Sequence, residues 1–382
     1  MLTMFRKIGA LSALATATAA AIGTQEGQAL PTLVDLVNQT HGFSYLNTYL
    51  EMFPEVRDSV ASLTNITVLA PSDTAIWKFI ETPRYAELEE GGADYLQALL
   101  SYHILNGVHD NISEYGPLTT LLSSPKYTNT TAGQVVFAYY NDHGFEVAIA
   151  SGNDSVAGTL GGKPIPFQGG VVYPINDVLT IPGPLSKEVS GSFNGTSFVN
   201  ALDKSGLTGE MNDLKDATFF VPKNAGFESV SQSLSALSPE ALASILKYHV
   251  VPDFLGYYDS LENGTTLTTL QGQKLTIFVN EAEEMFVNGA GINIVNIPVA
   301  NGIAIVIDNV LNPEATVKPP TKDAEDGVAA FPTGQGAGTS EGITSTTTEA
   351  AVATYTGAAN PLSIGAISLY TLVGAAMFTI AL

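Results

Sequence analysis

The chain has 382 residues, enough for two ordinary domains, and 45% of them are hydrophobic, so sizeable cores are within reach. Its 37 acidic and 15 basic residues leave a net charge of −22, a surface that repels phosphate backbones and argues against nucleic acid as a partner. Cysteine is absent, which removes disulfides, zinc–thiolate sites and thiol nucleophiles together.

The first predicted element is a secretory leader. Arg6 and Lys7 precede an apolar run from Ile8 to Ile22, with small residues where a signal peptidase cuts. The leader is assigned to residues 1–24, with its end anywhere from 19 to 29. Phe43, Leu46, Leu50 and Phe53 then recur at helical spacing.

An internal repeat follows and dominates the reading. "TVLAPSDTAI" (Thr67–Ile76) is answered by "TFFVPKNAGF" (Thr218–Phe227), each an apolar strand-like run closed by Pro and a polar turn. "YLQALLSYHIL" (Tyr95–Leu105) is answered by "ALASILKYHVV" (Ala241–Val251). Leu96, Leu99, Leu100 and His103 match Leu242, Ile245, Leu246 and His249 on one helix face. Ser238-Pro239 supplies the cap and first-turn proline of the second helix. "GGVVYPINDVL" (Gly169–Leu179) is answered by "NGIAIVIDNVL" (Asn301–Leu311). The three offsets are 151, 146 and 132 residues, so the first copy carries loop-sized insertions. Between the Tyr-His helix and the last motif lie β-rich runs, "QVVFAYY" and "FEVAIA", then "KLTIFVN" and "GINIVNIPV", separated by Gly and Asn as hairpins require. Helices early and strands late in each copy predict an α+β fold. The domains are placed at 30–182 and 183–313.

Residues 314–360 are rich in Pro, Gly, Ser and Thr without apolar periodicity and are expected to form a disordered, O-glycosylated stalk. Extended, such a stalk reaches on the order of 150 Å. The last segment, 361–382, is uncharged and apolar, with small residues Gly357, Ala358 and Ala359 just upstream. It resembles a glycosylphosphatidylinositol signal, with Gly357 the assigned attachment site and a point near Ala351 or Ala353 the alternative.

The three paired motifs resemble those of the fasciclin (beta-Ig-H3/fasciclin) domain family over about Leu30 to Pro313. The first copy keeps Ala70-Pro71-Ser72-Asp73. The second departs with Val221-Pro222-Lys223-Asn224. In the last motif Asn176-Asp177 stands where the second copy has Asp308-Asn309, and Tyr173-Pro174 sits inside the strand. The resemblance implies two tandem wedges of β-strands with flanking helices, serving adhesion to matrix, wall or neighbouring cells. It also implies binding candidates: Tyr102, His103, Tyr248 and His249. Each histidine also continues an apolar helix face, which makes a buried, hydrogen-bonded role the stronger reading.

Seven sequons are expected to carry N-glycans in a secreted chain: Asn38, Asn65, Asn111, Asn129, Asn153, Asn194 and Asn263. Nothing in the motifs supplies catalysis. No G-x-S-x-G elbow or H-E-x-x-H helix occurs, and the histidines (His41, His103, His109, His143, His249) are scattered. No cofactor or metal is expected. The function expected is non-enzymatic: a cell-surface or wall-associated adhesion glycoprotein, bound to surface glycans or proteins or to itself and to the membrane through lipid. The alternatives are a vacuolar or endosomal membrane-held factor in trafficking, fusion or autophagy, and a carbohydrate-active enzyme.

Overall fold

The computed structural model describes residues 29–112, 116–140, 147–159, 163–191, 193–315 and 327–331. The expected leader, Gly357 and the C-terminal apolar segment lie outside these residues, as does most of the expected stalk. Two compact units are present. The first takes in the described residues up to Thr128 and from Ala132 to Ile181; the second takes in Asn129–Thr131 and those from Pro182 onward.

Three helices open the first unit. Thr32 caps α1 (Leu33–Gln39) by accepting the Asp35 N–H, and Leu33, Leu36 and Val37 turn inward. In α2 (Ser44–Met52) Leu46 and Leu50 are buried one turn apart, while Phe43 and Phe53 of the same pattern flank the helix. Pro54 begins α3 (Pro54–Ala61), where a missing N–H costs nothing. The strand β1 (Ile66–Pro71) is buried at all six positions, as expected of a strand covered on both faces. Ser72 then caps α4 (Asp73–Ile80). The long helix α5 (Arg84–Tyr102) breaks at Gly92 and ends on the Tyr-His pair. β2 (Ile104–Asn106) returns antiparallel beside β1.

The chain next forms an antiparallel sheet from β3 (Gly116–Thr119), β4 (Val135–Tyr140), β5 (Val147–Ala150) and β6 (Val156–Gly158), in that order. β7 (Ile165–Phe167) and β8 (Gly170–Ile175) close the unit, and β8 lies parallel to β1 in a sheet ordered β2-β1-β8-β7. Pro174 lies beyond the β7 ladder, which pairs with Gly170–Val172, so its missing N–H breaks no β7–β8 bond among the described pairs.

The second unit repeats this plan. Its helices are α6 (Leu185–Val189), α7 (Thr196–Lys204) and α8 (Thr208–Asp213), then β9 (Ala217–Pro222), α9 (Asn224–Ser229), α10 (Ser231–Ser235) and α11 (Pro239–Tyr248). After β10 (Val250–Val251) come β11 (Thr266–Thr268), β12 (Lys274–Val279), β13 (Met285–Val287), β14 (Ala290–Val299) and β15 (Gly302–Ile307). These strands form one sheet ordered β10-β9-β15-β14-β13-β12-β11. The ten-residue β14, with two register shifts, does in one strand what β6 and β7 do in two. The larger insertion in the first copy falls earlier: Gly158 and Asn176 are 18 residues apart and Gly291 and Asp308 are 17, whereas Tyr102 and Val135 are 33 apart and Tyr248 and Lys274 are 26.

The paired glycines of the last motif have a steric origin. A Cβ on Gly170 would lie 1.8 Å from the Ile66 carbonyl oxygen, and one on Gly302 would lie 1.8 Å from that of Ala217. Only glycine lets β8 and β15 enter beside β1 and β9.

One expectation needs correcting. Within the segment read as stalk, Gly327–Phe331 packs on the second unit: Val328 N–H donates to the Gly289 carbonyl (2.7 Å), and Phe331 lies against the second core. The extended reading rested on composition, which is blind to a contact this short.

Candidate functional site

The four Tyr-His side chains lie inside the two cores, at 0% exposure for Tyr102, 3% for His103, 4% for Tyr248 and 0% for His249. In the folded protein they present no surface to a partner. Their geometry states what they do instead.

His103 and His249 are the residues at which α5 and α11 stop. His103 Nδ1 is 2.7 Å from the Leu99 carbonyl oxygen, and Nε2 accepts the Leu179 N–H (3.0 Å). His249 repeats this with the Ile245 carbonyl (2.8 Å) and the Leu311 N–H (2.9 Å). A carbonyl on one side and an N–H on the other select one tautomer, neutral imidazole protonated at Nδ1. Burial of the ring lowers the pKa of each histidine from 6.5 to about 4, against the pull of the backbone carbonyl it bonds. Each tyrosine ties the same helix to the hairpin sheet. Tyr102 donates to the Val135 carbonyl (2.9 Å), and Tyr248 donates to the Lys274 carbonyl (3.0 Å) while accepting from Asn288 (2.6 Å). The dipeptide thus joins a helix end to the start of β4 or β12 and to the chain leaving β8 or β15. Both ring nitrogens of His103 and of His249 are thus taken by the backbone.

The Pro-containing boxes are also structural. Asp73 Oδ1 accepts the Tyr45 N–H (2.8 Å), capping the start of α2 from 28 residues away. Asn224 Oδ1 does the same for Ser197 N–H (2.8 Å) at the start of α7. The change from Asp to Asn between copies therefore keeps what matters, an acceptor oxygen.

Sequence reasoning missed one pair. Thr67 donates to the Gly107 carbonyl (2.9 Å) and accepts the His109 N–H (2.9 Å). Thr218 likewise donates to Phe254 and accepts from Gly256 (2.5 and 2.8 Å). These buried hydroxyls pin the loop after each Tyr-His helix. The available signal was that both boxes begin with threonine. Replacing Thr218 by valine keeps the shape but strands the Gly256 N–H, and is expected to cost the second domain about 2 kcal/mol in urea unfolding.

Six sequon asparagines are exposed: Asn38, Asn65, Asn111, Asn153, Asn194 and Asn263. Asn65, Asn153 and Asn194 occupy left-handed turn positions with φ of 57°, 55° and 55°, a conformation that asparagine tolerates. Asn129 is half-buried and donates from Nδ2 to the Leu214 carbonyl (2.9 Å) within the second unit. The exposed aromatic side chains among the described residues are Trp77, at 50%, and Tyr258, at 48%.

The family comparison agrees with a two-copy organisation. The Fasciclin domain family model matches residues 29–182 and 194–313. Two fungal relatives match across most of their own length. The fasciclin-like arabinogalactan protein of Arthroderma benhamiae is 28% identical over 301 residues, covering 77% of this chain and 70% of that protein. Fasciclin-like arabinogalactan protein elcF of Phaeosphaeria nodorum is 29% identical over 277 residues, covering 70% and 84%. Among solved structures, the FAS1 domain pair of the insect cell adhesion molecule fasciclin I covers 72% of this chain and 97% of its own, at 18% identity and a TM-score of 0.34. With both copies matched by the family model, the chain belongs to the fasciclin domain family, as the motifs implied.

Proposed function

We propose that this protein is a non-enzymatic cell-surface or cell-wall glycoprotein that displays two fasciclin domains for adhesion. The observation that carries the reading is family membership in two successive stretches of one chain, whose fungal relatives are fasciclin-like arabinogalactan proteins. A secretory leader brings the chain outside, N-glycans sit on the six exposed sequons, and a C-terminal lipid attached at Gly357 holds it at the membrane. Surface or wall glycans, surface proteins and a second copy of this chain are the partner classes.

Burial of the Tyr-His pairs moves the expected contact surface outward, to side chains such as Trp77 and Tyr258. Two weak contacts on one chain act together, because engaging one raises the effective concentration of the other. Adhesion of cells carrying the full chain to isolated wall material should fall markedly when residues 30–182 or 183–313 are deleted. A strain lacking the protein that adheres as well as its parent would overturn the adhesion reading.

A further inference from the structure

The last motif differs between the copies in the order of two residues, and the structure gives that difference a consequence. In the first domain Asn176 N–H donates to the Gly158 carbonyl (3.0 Å), while Asn176 Oδ1 accepts the Gly158 N–H (2.7 Å). In the second domain Asp308 makes the same pair with Gly291, at 3.0 and 2.8 Å. The two side chains differ only in their other arm. Asn176 carries an amide NH2 there, a donor, whereas Asp308 carries a second carboxylate oxygen, an acceptor.

That second oxygen is used. Asp308 Oδ2 accepts the N–H of Gly327 (2.8 Å), the first residue of the segment Gly327–Phe331. The next residue, Val328, donates to the Gly289 carbonyl (2.7 Å) at the turn between β13 and β14. Asn312 reaches back through Nδ2 to the Ala330 carbonyl (3.2 Å). Phe331 ends the segment packed against the second core. The fit at the first position is tight: a Cβ on Gly327 would stand 2.3 Å from the Gly291 nitrogen and 2.7 Å from the Asp308 carboxylate. Two glycines from distant parts of the chain thus meet backbone to backbone, bridged by one carboxylate.

We propose that the second domain carries a docking site for a short extended peptide, built from Asp308, Gly289, Gly291 and Asn312, and that its resident occupant is the chain's own Gly327–Phe331. The site takes glycine at the first position, because nothing larger fits against Gly291, and an aromatic residue at the fifth. The first domain lacks it, since Asn176 offers a donor where the peptide N–H requires an acceptor. Through this strap the chain is tied to the second domain a second time after β15, at Gly327–Phe331.

The test is amide hydrogen exchange on the full-length protein. Gly327 and Val328 should exchange at least about 100-fold more slowly than in a free peptide of the same sequence. Asp308→Asn keeps the bonds to Gly291 and removes only the acceptor for the strap, so the protection of both amides should fall to within about threefold of the free peptide. Gly327→Val alters the strap alone and should do the same, with exchange in β9 and β15 unchanged, which covers the case in which Asp308→Asn disturbs folding. Free-peptide exchange at both amides in the wild type, or protection left intact by both substitutions, overturns the proposal.

Discussion

Replacing His103 by leucine is expected to cost the first domain about 3 kcal/mol. The substitution keeps an apolar side chain of similar reach and removes both ring nitrogens. The Leu179 N–H then has no acceptor in a buried setting, and the Leu99 carbonyl loses its ring partner. Each stranded buried group costs about 1–3 kcal/mol. The only tryptophan, Trp77, lies in the first domain, so its fluorescence follows that unfolding. At slopes of about 1–3 kcal/mol per molar urea, the midpoint should drop by roughly 1–3 M. His249→Leu should weaken the second domain by a similar amount, through the Leu311 N–H. A midpoint for His103→Leu indistinguishable from wild type would show that the imidazole bridge does not hold the fold.

The same two rings give each domain an acid sensitivity. Their pKa in the folded state, about 4, lies below the unfolded value of 6.5. Between these values the unfolded chain binds more protons than the folded one, so stability falls as pH falls. The histidine contribution is complete above about pH 6.5 and is lost progressively toward pH 4. At about 1.4 kcal/mol per pKa unit, the loss is roughly 3 kcal/mol per domain between pH 7 and pH 4. His103→Leu should flatten the profile of the first domain over that window. Nitrogen-detected imidazole spectra should show the Nδ1–H neutral form in both rings at pH 6. An imidazolium signal there, or parallel profiles for wild type and variant, would contradict this account.

Much of the fold was legible because apolar periodicity, paired motifs and turn residues agreed with one another. Leu96, Leu99 and His103 stood on one face in the sequence, and all three are buried. The runs "QVVFAYY" and "FEVAIA" became the paired strands β4 and β5, whereas "KLTIFVN" and "GINIVNIPV" became β12 and β14, with the three-residue β13, too short to show a period, paired between them. What stayed hidden depends on long-range partners. The residue that His103 Nε2 bonds lies 76 positions away, and periodicity within a helix says nothing about it. Thr67 reads as an ordinary strand residue until its hydroxyl is seen to serve a loop 40 residues on. The Asp73 and Asn224 difference suggested divergence, whereas the shared acceptor oxygen explains why both are tolerated. Gly327–Phe331 was invisible for the opposite reason: five small or apolar residues in a Pro- and Thr-rich tract have no period to detect.

Surface display of the two domains is the claim on which the functional reading stands. The most direct test is to tag the protein just after the proposed leader, treat intact cells with phosphatidylinositol-specific phospholipase C, and assay what is released. Release of a glycosylated, tagged species is the result expected. Tag confined to internal membranes, resistant to the lipase and retaining residues 361–382, would contradict it.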